Sequence, residues 1–224
     1  MPPLRPANPV ARWLPGWKAK GGRACQRGSG GLAACPRPVQ MAHPAPTRLH
    51  WGCGTRPAAG WINADLRSLP GVDLVGDIRD GLALSDASVD FAVAIHVLQD
   101  LPWADIPVAL AELKRVLKPG GVLRLGLPDL DRAIDAYRNG WRDYFHVPNE
   151  DACSVGAKLV TQIVWYGSVR TPFNWDFARE VLERAGFVDV RRFAFRESGT
   201  RIAEICDLDN RERESLFVEA RKCS

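Results

Sequence analysis

Hydrophobic positions between residues 47 and 224 fall into short continuous runs separated by polar, glycine-bearing or proline-bearing turns. Five runs come first: one from Arg48 into Gly52, Trp61 to Ala64 ending at Asp65, Val72 to Val75 followed by Asp77, Val89 to Ile95 ending at His96, and Val122 to Leu127. They do not alternate strictly with polar residues, so they read as strands buried on both faces, the habit of parallel sheets. Between the last two, Ile106, Leu110, Leu113 and Leu117 recur at helical spacing, with Pro107 tolerable near the first turn. Lys118-Pro119-Gly120-Gly121 is a stop signal for that helix. Asp129 or Asp131 is suited to cap a helix reaching Arg138, and Asp176 to Ala185 forms another amphipathic helix closed by Gly186. Val188 to Phe193 and Leu216 to Ala220 supply two final strands. Strands alternating with helices define an α/β fold.

The first strand carries the chemical signal. It runs into Gly52-Cys53-Gly54, where only glycine leaves room for backbone to lie against a cofactor. Cys53 reads as a small apolar filler rather than a nucleophile. Asp65 ends the second strand, where a carboxylate can accept hydrogen bonds from both hydroxyls of a ribose. A nicotinamide-binding fold would need a third glycine three residues after Gly54 and a helix facing the pyrophosphate. This chain has Pro57 there, and at most one helical turn fits before Gly60-Trp61. A cofactor without a phosphate loses nothing by that shortening. His96 lies at the carboxyl end of the fourth strand, where ligands bind in open α/β sheets; it reads either as a structural histidine or as a proton acceptor.

The order of these features resembles a class I S-adenosylmethionine-dependent methyltransferase, over about Thr47 to Lys222. Gly52 to Asp65 is similar to a type 11-like subset with Gly-Cys-Gly and a shortened first helix. The resemblance implies a Rossmann-like, doubly wound sheet of seven strands, mostly parallel, with one antiparallel strand near the C-terminus. It implies S-adenosylmethionine held by Gly52, Cys53, Gly54, Asp65, Asp77, Ile78 and His96, with the Asp77 carboxylate near the adenine amino group and Ile78 on the adenine face. The chain departs from the family's His-x-Leu-Glu-His at Gln99-Asp100, so His96 either takes part in catalysis or only shapes the donor pocket.

Residues 129–174 exceed what a strand-to-helix connection needs and are rich in aromatics. They read as a partly helical lid over the cofactor, or as a small subdomain using aromatics as its own core. Tyr166 is a candidate for the methyl position beside His96, and Arg138, Arg142, Lys158 and Arg170 are candidates to hold an acidic acceptor. The function expected is methyl transfer to a small-molecule acceptor, the alternative being a catalytically silent cofactor-binding domain.

Composition changes the picture at the N-terminus. Residues 1–46 contain seven basic and no acidic side chains, so the net charge of +4 becomes −3 over residues 47–224 and no basic patch suggests a nucleic-acid partner. That segment, rich in Pro and Gly, reads as a disordered tail, a transit peptide or an upstream extension ahead of Met41. The six cysteines are widely spaced, so neither a zinc site nor a disulfide framework is expected. No apolar run is long enough to span a bilayer, and a soluble cytoplasmic protein is expected.

Overall fold

The computed structural model describes residues 46–200 and 202–223; what the sequence suggests for residues 1–45 lies outside them. The described residues all fall within one compact unit. Its strands are β1 Arg48–Trp51, β2 Ile62–Asp65, β3 Leu74–Val75, β4 Val89–Ile95, β5 Leu117–Pro128, β6 Phe187–Phe193 and β7 Ser215–Lys222. Its α-helices are α1 Ile106–Val116, α2 Leu130–Arg138, α3 Val155–Val164 and α4 Trp175–Arg184. The seven strands form one sheet in the order β3-β2-β1-β4-β5-β7-β6. Pairing is parallel from β3 to β5, and β7 runs antiparallel to both β5 and β6. This is the mostly parallel sheet with one reversed strand that the apolar runs and the family resemblance led us to expect.

Three local differences have physical causes. No helix lies between β1 and β2 among the described residues, where the interval from Gly52 to Trp61 holds only turns and bends. The Pro-Gly-Gly signal ends α1 at Val116, but the chain enters β5 directly, and the pairing with β4 slips between Val89 and Phe91 to absorb the extra residues. The last two strands are joined by residues 194–214, in which the described residues form the short 3-10 turns Ala203–Cys206 and Glu212–Glu214 and no α-helix.

Alternation along the strands sends side chains to two faces. Leu49, Ala92, Ala94, Leu123, Leu125 and Val218 pack with Leu110 and Leu113 of α1 and Leu182 of α4. Trp61, Val93, Ile95, Val122 and Phe217 pack with Ile205 and Cys206 of the long connection. Arg124, between Leu123 and Leu125, falls on this second face and is fully buried. Its guanidinium donates to Asp209 at 2.8 and 2.5 Å, to Glu219 Oε1 at 2.7 Å and to the Glu197 carbonyl at 3.0 Å. Glu219 also accepts from the Ser198 hydroxyl and the Gly199 amide. The cluster thus fastens residues 197–209 to the sheet, because three buried charges need one another once removed from water.

Candidate active site

The parallel strands deliver their carboxyl ends to one side of the sheet, and the candidate residues sit in the loops there. At the end of β1 the Gly52 and Cys53 amides both donate to the Ala64 carbonyl, at 2.7 and 3.2 Å. The Gly54 amide donates to Asp65 Oδ2 at 2.8 Å, while the Arg67 amide and Nε reach Oδ1 at 2.9 and 3.3 Å. Burial works against the Asp65 charge, but the Arg67 and Gly54 amides and the Arg67 guanidinium outweigh it and hold the carboxyl below its usual range. Asp65 is therefore an anion tied to the glycine turn.

The two glycines serve different ends. Gly52 has φ +72°, and a Cβ there would lie 2.5 Å from Val97 Cγ2, so the side chain excluding any larger residue is the protein's own. Gly54 has φ +54°, and a Cβ would meet only Arg67 Nη2, at 3.7 Å. Open backbone is found at Gly54 rather than Gly52. Cys53 is buried, and burial followed by the nearby Asp65 charge raises its thiol pKa, which suits a filler.

Asp77 caps the short turn Ile78–Asp80, and the Arg79 guanidinium grips both of its oxygens. Those bonds hold the Asp77 carboxyl below its usual range despite some burial. The Ile78 side chain is buried in the core cluster shared with α1.

His96 follows β4 with φ +54°, a conformation that side chains other than glycine rarely adopt and that concentrates at functional sites. Its amide is anchored to the Gly126 carbonyl at 2.8 Å, and its Nε2 lies 2.7 Å from Ser215 Oγ. The Ser215 hydroxyl has one hydrogen and carbonyl neighbours at Arg211, 2.8 Å, and Asn210, 3.4 Å, which can only accept. The hydroxyl oxygen is then left to accept from His96, which assigns the proton to Nε2 and leaves the Nδ1 lone pair unused by any described residue. Burial, aided by the charge of Arg211, pushes the His96 pKa down to about 3, so the ring is neutral near pH 7.

A cavity of about 540 Å³ opens at this end of the sheet. Its walls include Arg67, His96, Gln99 and Asp100 from the loops after β2 and β4. Asp129, Tyr144, Gln162 and Trp165 contribute from the segment after β5, and Arg211 and Glu214 from the connection before β7. His96 thus reaches the cavity, as does Arg67, the partner of Asp65. Gly52, Cys53, Gly54, Asp65, Asp77 and Ile78 do not line it. Neither does Tyr166: the chain turns through left-handed conformations at Trp165 and Tyr166, and the exposed Tyr166 hydroxyl bonds Asp151. The basic residues singled out for an acidic acceptor are absent from the lining as well, Lys158 being buried against the Val147 carbonyl.

Sequence reasoning missed Arg211 and Glu214, took Tyr144 only as one of the aromatics of residues 129–174, and took Asp129 only as a helix cap. Asp129 does cap α2, accepting from the Asp131 and Arg132 amides at 3.1 and 3.3 Å, yet it also stands at a strand end, the criterion that singled out Asp65. Among the described residues no group of three or more His, Cys, Asp or Glu is placed to hold a metal ion, and no helix is long and apolar enough to cross a membrane.

Residues 49–125, from β1 into β5, match the family described as a methyltransferase domain. A probable methyltransferase of Aspergillus luteorubrus is 47% identical over 49 residues, 21% of this chain and 17% of that protein. An uncharacterized 37.1 kDa protein in a transposon of Streptomyces fradiae is 49% identical over 65 residues, 29% of this chain and 18% of its own length. Each aligned stretch spans less than a fifth of these curated relatives. Among solved structures, Haemonchus contortus phosphoethanolamine N-methyltransferase 2 in complex with S-adenosyl-L-methionine superposes with TM-score 0.50 at 16% identity, covering 81% of this chain and 50% of that one. With that match lying across the glycine turn, Asp65 and His96, residues 49–125 are similar to a methyltransferase domain, and the whole sheet has the fold of the S-adenosyl-L-methionine-bound methyltransferase it superposes on.

Proposed function

We propose that the protein transfers a methyl group from S-adenosylmethionine to a small molecule bound in the cavity beside His96. One observation carries the reading: the family match covers the segment in which Asp65, Gly54 and Arg67 form one bonded unit, and Arg67 of that unit lines the cavity. The residues suit the donor. A carboxylate offers about four acceptor sites, of which Gly54 and Arg67 occupy three. Arg67 has a largely exposed side chain that can give way to a ribose hydroxyl. The open side of Gly54 allows close backbone approach. When bound, the donor supplies a methyl group activated by its sulfonium. The chain's part is then to align the two partners and exclude water.

Residues 129–174 act as the lid in this reading, since Leu130, Tyr144, Gln162, Ile163, Trp165 and Pro172 all face the cavity. His96 holds the acceptor through Nδ1, and of the two residues suggested for the methyl position it is the one we retain. Cys53 packs the donor turn, Gly52 shapes it, and Asp77 and Ile78 set the loop after β3.

Labelled S-adenosylmethionine incubated with the full chain and fractionated metabolites tests the reading. Label should pass to a small-molecule fraction, and the transfer should fall in His96→Ala while donor binding persists. Donor binding with no transfer to any fraction would instead favour a silent binding domain.

A further inference from the structure

Two buried polar side chains of the cavity wall each keep one oxygen without a hydrogen bond among the described residues. Gln99 is 3% exposed and its Oε1 has no hydrogen-bond partner among the described residues. Its amide nitrogen donates to Asp100 Oδ1 at 3.1 Å, which fixes the oxygen as the unused end. Asp129 is 4% exposed; its Oδ1 caps α2, and its Oδ2 has no hydrogen-bond partner among the described residues, only an ion pair with Arg132 Nε at 3.5 Å. Interior polar atoms are almost always hydrogen-bonded, so two acceptors without hydrogen bonds on residues of one cavity wall suit donors brought by a ligand. His96 Nδ1 adds a third unmatched acceptor to the same wall.

The charges agree. Asp100, Asp129 and Glu214 face the cavity with two guanidinium groups, Arg67 and Arg211. Arg67 is bonded to Asp65, and Arg211 lies 3.4 Å from Glu214 Oε1. A carboxylate or phosphate would meet three carboxylates against two guanidinium groups, one of them already paired with Glu214. A ligand carrying N–H donors meets complementary groups on every count.

Resting on the methyl-transfer reading, we infer that the methyl acceptor is an amine, its nitrogen held by Gln99 Oε1 and Asp129 Oδ2 and its carbon skeleton lying against Tyr144 and Trp165. An amine that enters as an ammonium gives up one proton to a wall carboxylate or to water. Its lone pair then forms the N–C bond while the S–C bond breaks and its electron pair returns to sulfur, leaving an N-methylammonium and a neutral thioether.

The test titrates three probes of one skeleton, 2-phenylethylamine, 2-phenylethanol and phenylacetate, into the full chain saturated with S-adenosylhomocysteine. The amine should bind at least about tenfold tighter than the carboxylate, with the alcohol between them. Asp129→Asn, which keeps the helix cap, and Gln99→Met, which keeps the volume, should each weaken the amine about fivefold or more and leave S-adenosylhomocysteine affinity within about twofold. Equal or tighter binding of phenylacetate, no binding of any probe, or amine affinity unchanged in both variants would overturn the inference. So would weakened S-adenosylhomocysteine binding in both, which would assign the two acceptors to the donor's own ammonium group. Failure of the wild-type chain to bind S-adenosylhomocysteine would instead overturn the methyltransferase reading beneath it.

Discussion

The two halves of the sheet are held by different kinds of contact. Around β1 to β3 the decisive bonds are local: Gly54 to Asp65 spans 11 residues, Asn63 to Asp73 spans 10, and Asp77 pairs with Arg79 two residues on. Around β5 to β7 they are distant: Arg124 reaches Asp209 across 85 residues and Glu219 across 95, and His96 reaches Ser215 across 119. The local half forms the candidate donor site, while the distant half, through Arg211, Glu214 and Ser215, finishes the cavity wall. A donor turn can thus be specified by a short segment, but the acceptor wall exists only once the whole sheet has closed.

Breaking the distant half should have the largest effect. Arg124→Met leaves Asp209 and Glu219 buried without their cation and should cost about 3–5 kcal/mol of stability, measured by urea unfolding. A loss below about 1 kcal/mol, the range of an exposed pair, would show that the cluster is not sealed from water.

In the local half, Gly52→Ala should cost about 1–3 kcal/mol through its clash with Val97 and its positive φ. Val97→Ala in the same chain should recover part of that loss, giving a coupling of about 0.5–3 kcal/mol in a double-mutant cycle. Simple additivity would return Gly52 to the role first expected of it, making room for cofactor alone.

The bond joining the halves should show in pH dependence. The His96 pKa falls from 6.5 to about 3 on folding, so the unfolded chain binds the extra proton first. Its contribution to stability is complete above about pH 6.5 and is lost as pH falls toward 3, with a slope of at most about 1.4 kcal/mol per pH unit. His96→Gln should flatten the profile between about pH 6 and 4.5. An unchanged profile would mean that His96 is not buried neutral.

This division also marks what was legible in the sequence. The succession of strands along the chain and the tight turn at Gly52-Cys53-Gly54 could be read because continuous apolar runs and paired glycines act over short spans. Even there, the reason for Gly52 was hidden, since Val97 belongs to a different loop. Arg124 could not be read as interior: a lone arginine among leucines signals a buried position only when Asp209 and Glu219 are known to converge on it. Glu214 and Arg211 look like ordinary surface charges for the same reason. Tyr166 offers a hydroxyl next to a glycine in the sequence, but the left-handed turn at Trp165 and Tyr166 puts Trp165 in the wall instead.

The central claim is that the glycine turn and Asp65 hold the methyl donor. Calorimetric titration of S-adenosylmethionine into the wild-type chain and into Asp65→Ala measures it directly. We predict saturable binding to the wild type, with no comparable affinity for a nicotinamide dinucleotide. In the folded variant, binding should weaken by about 1.5–3 kcal/mol, the range for hydrogen bonds to a charged group. Equal affinity in a folded Asp65→Ala chain, or preferential binding of the dinucleotide, would contradict the account.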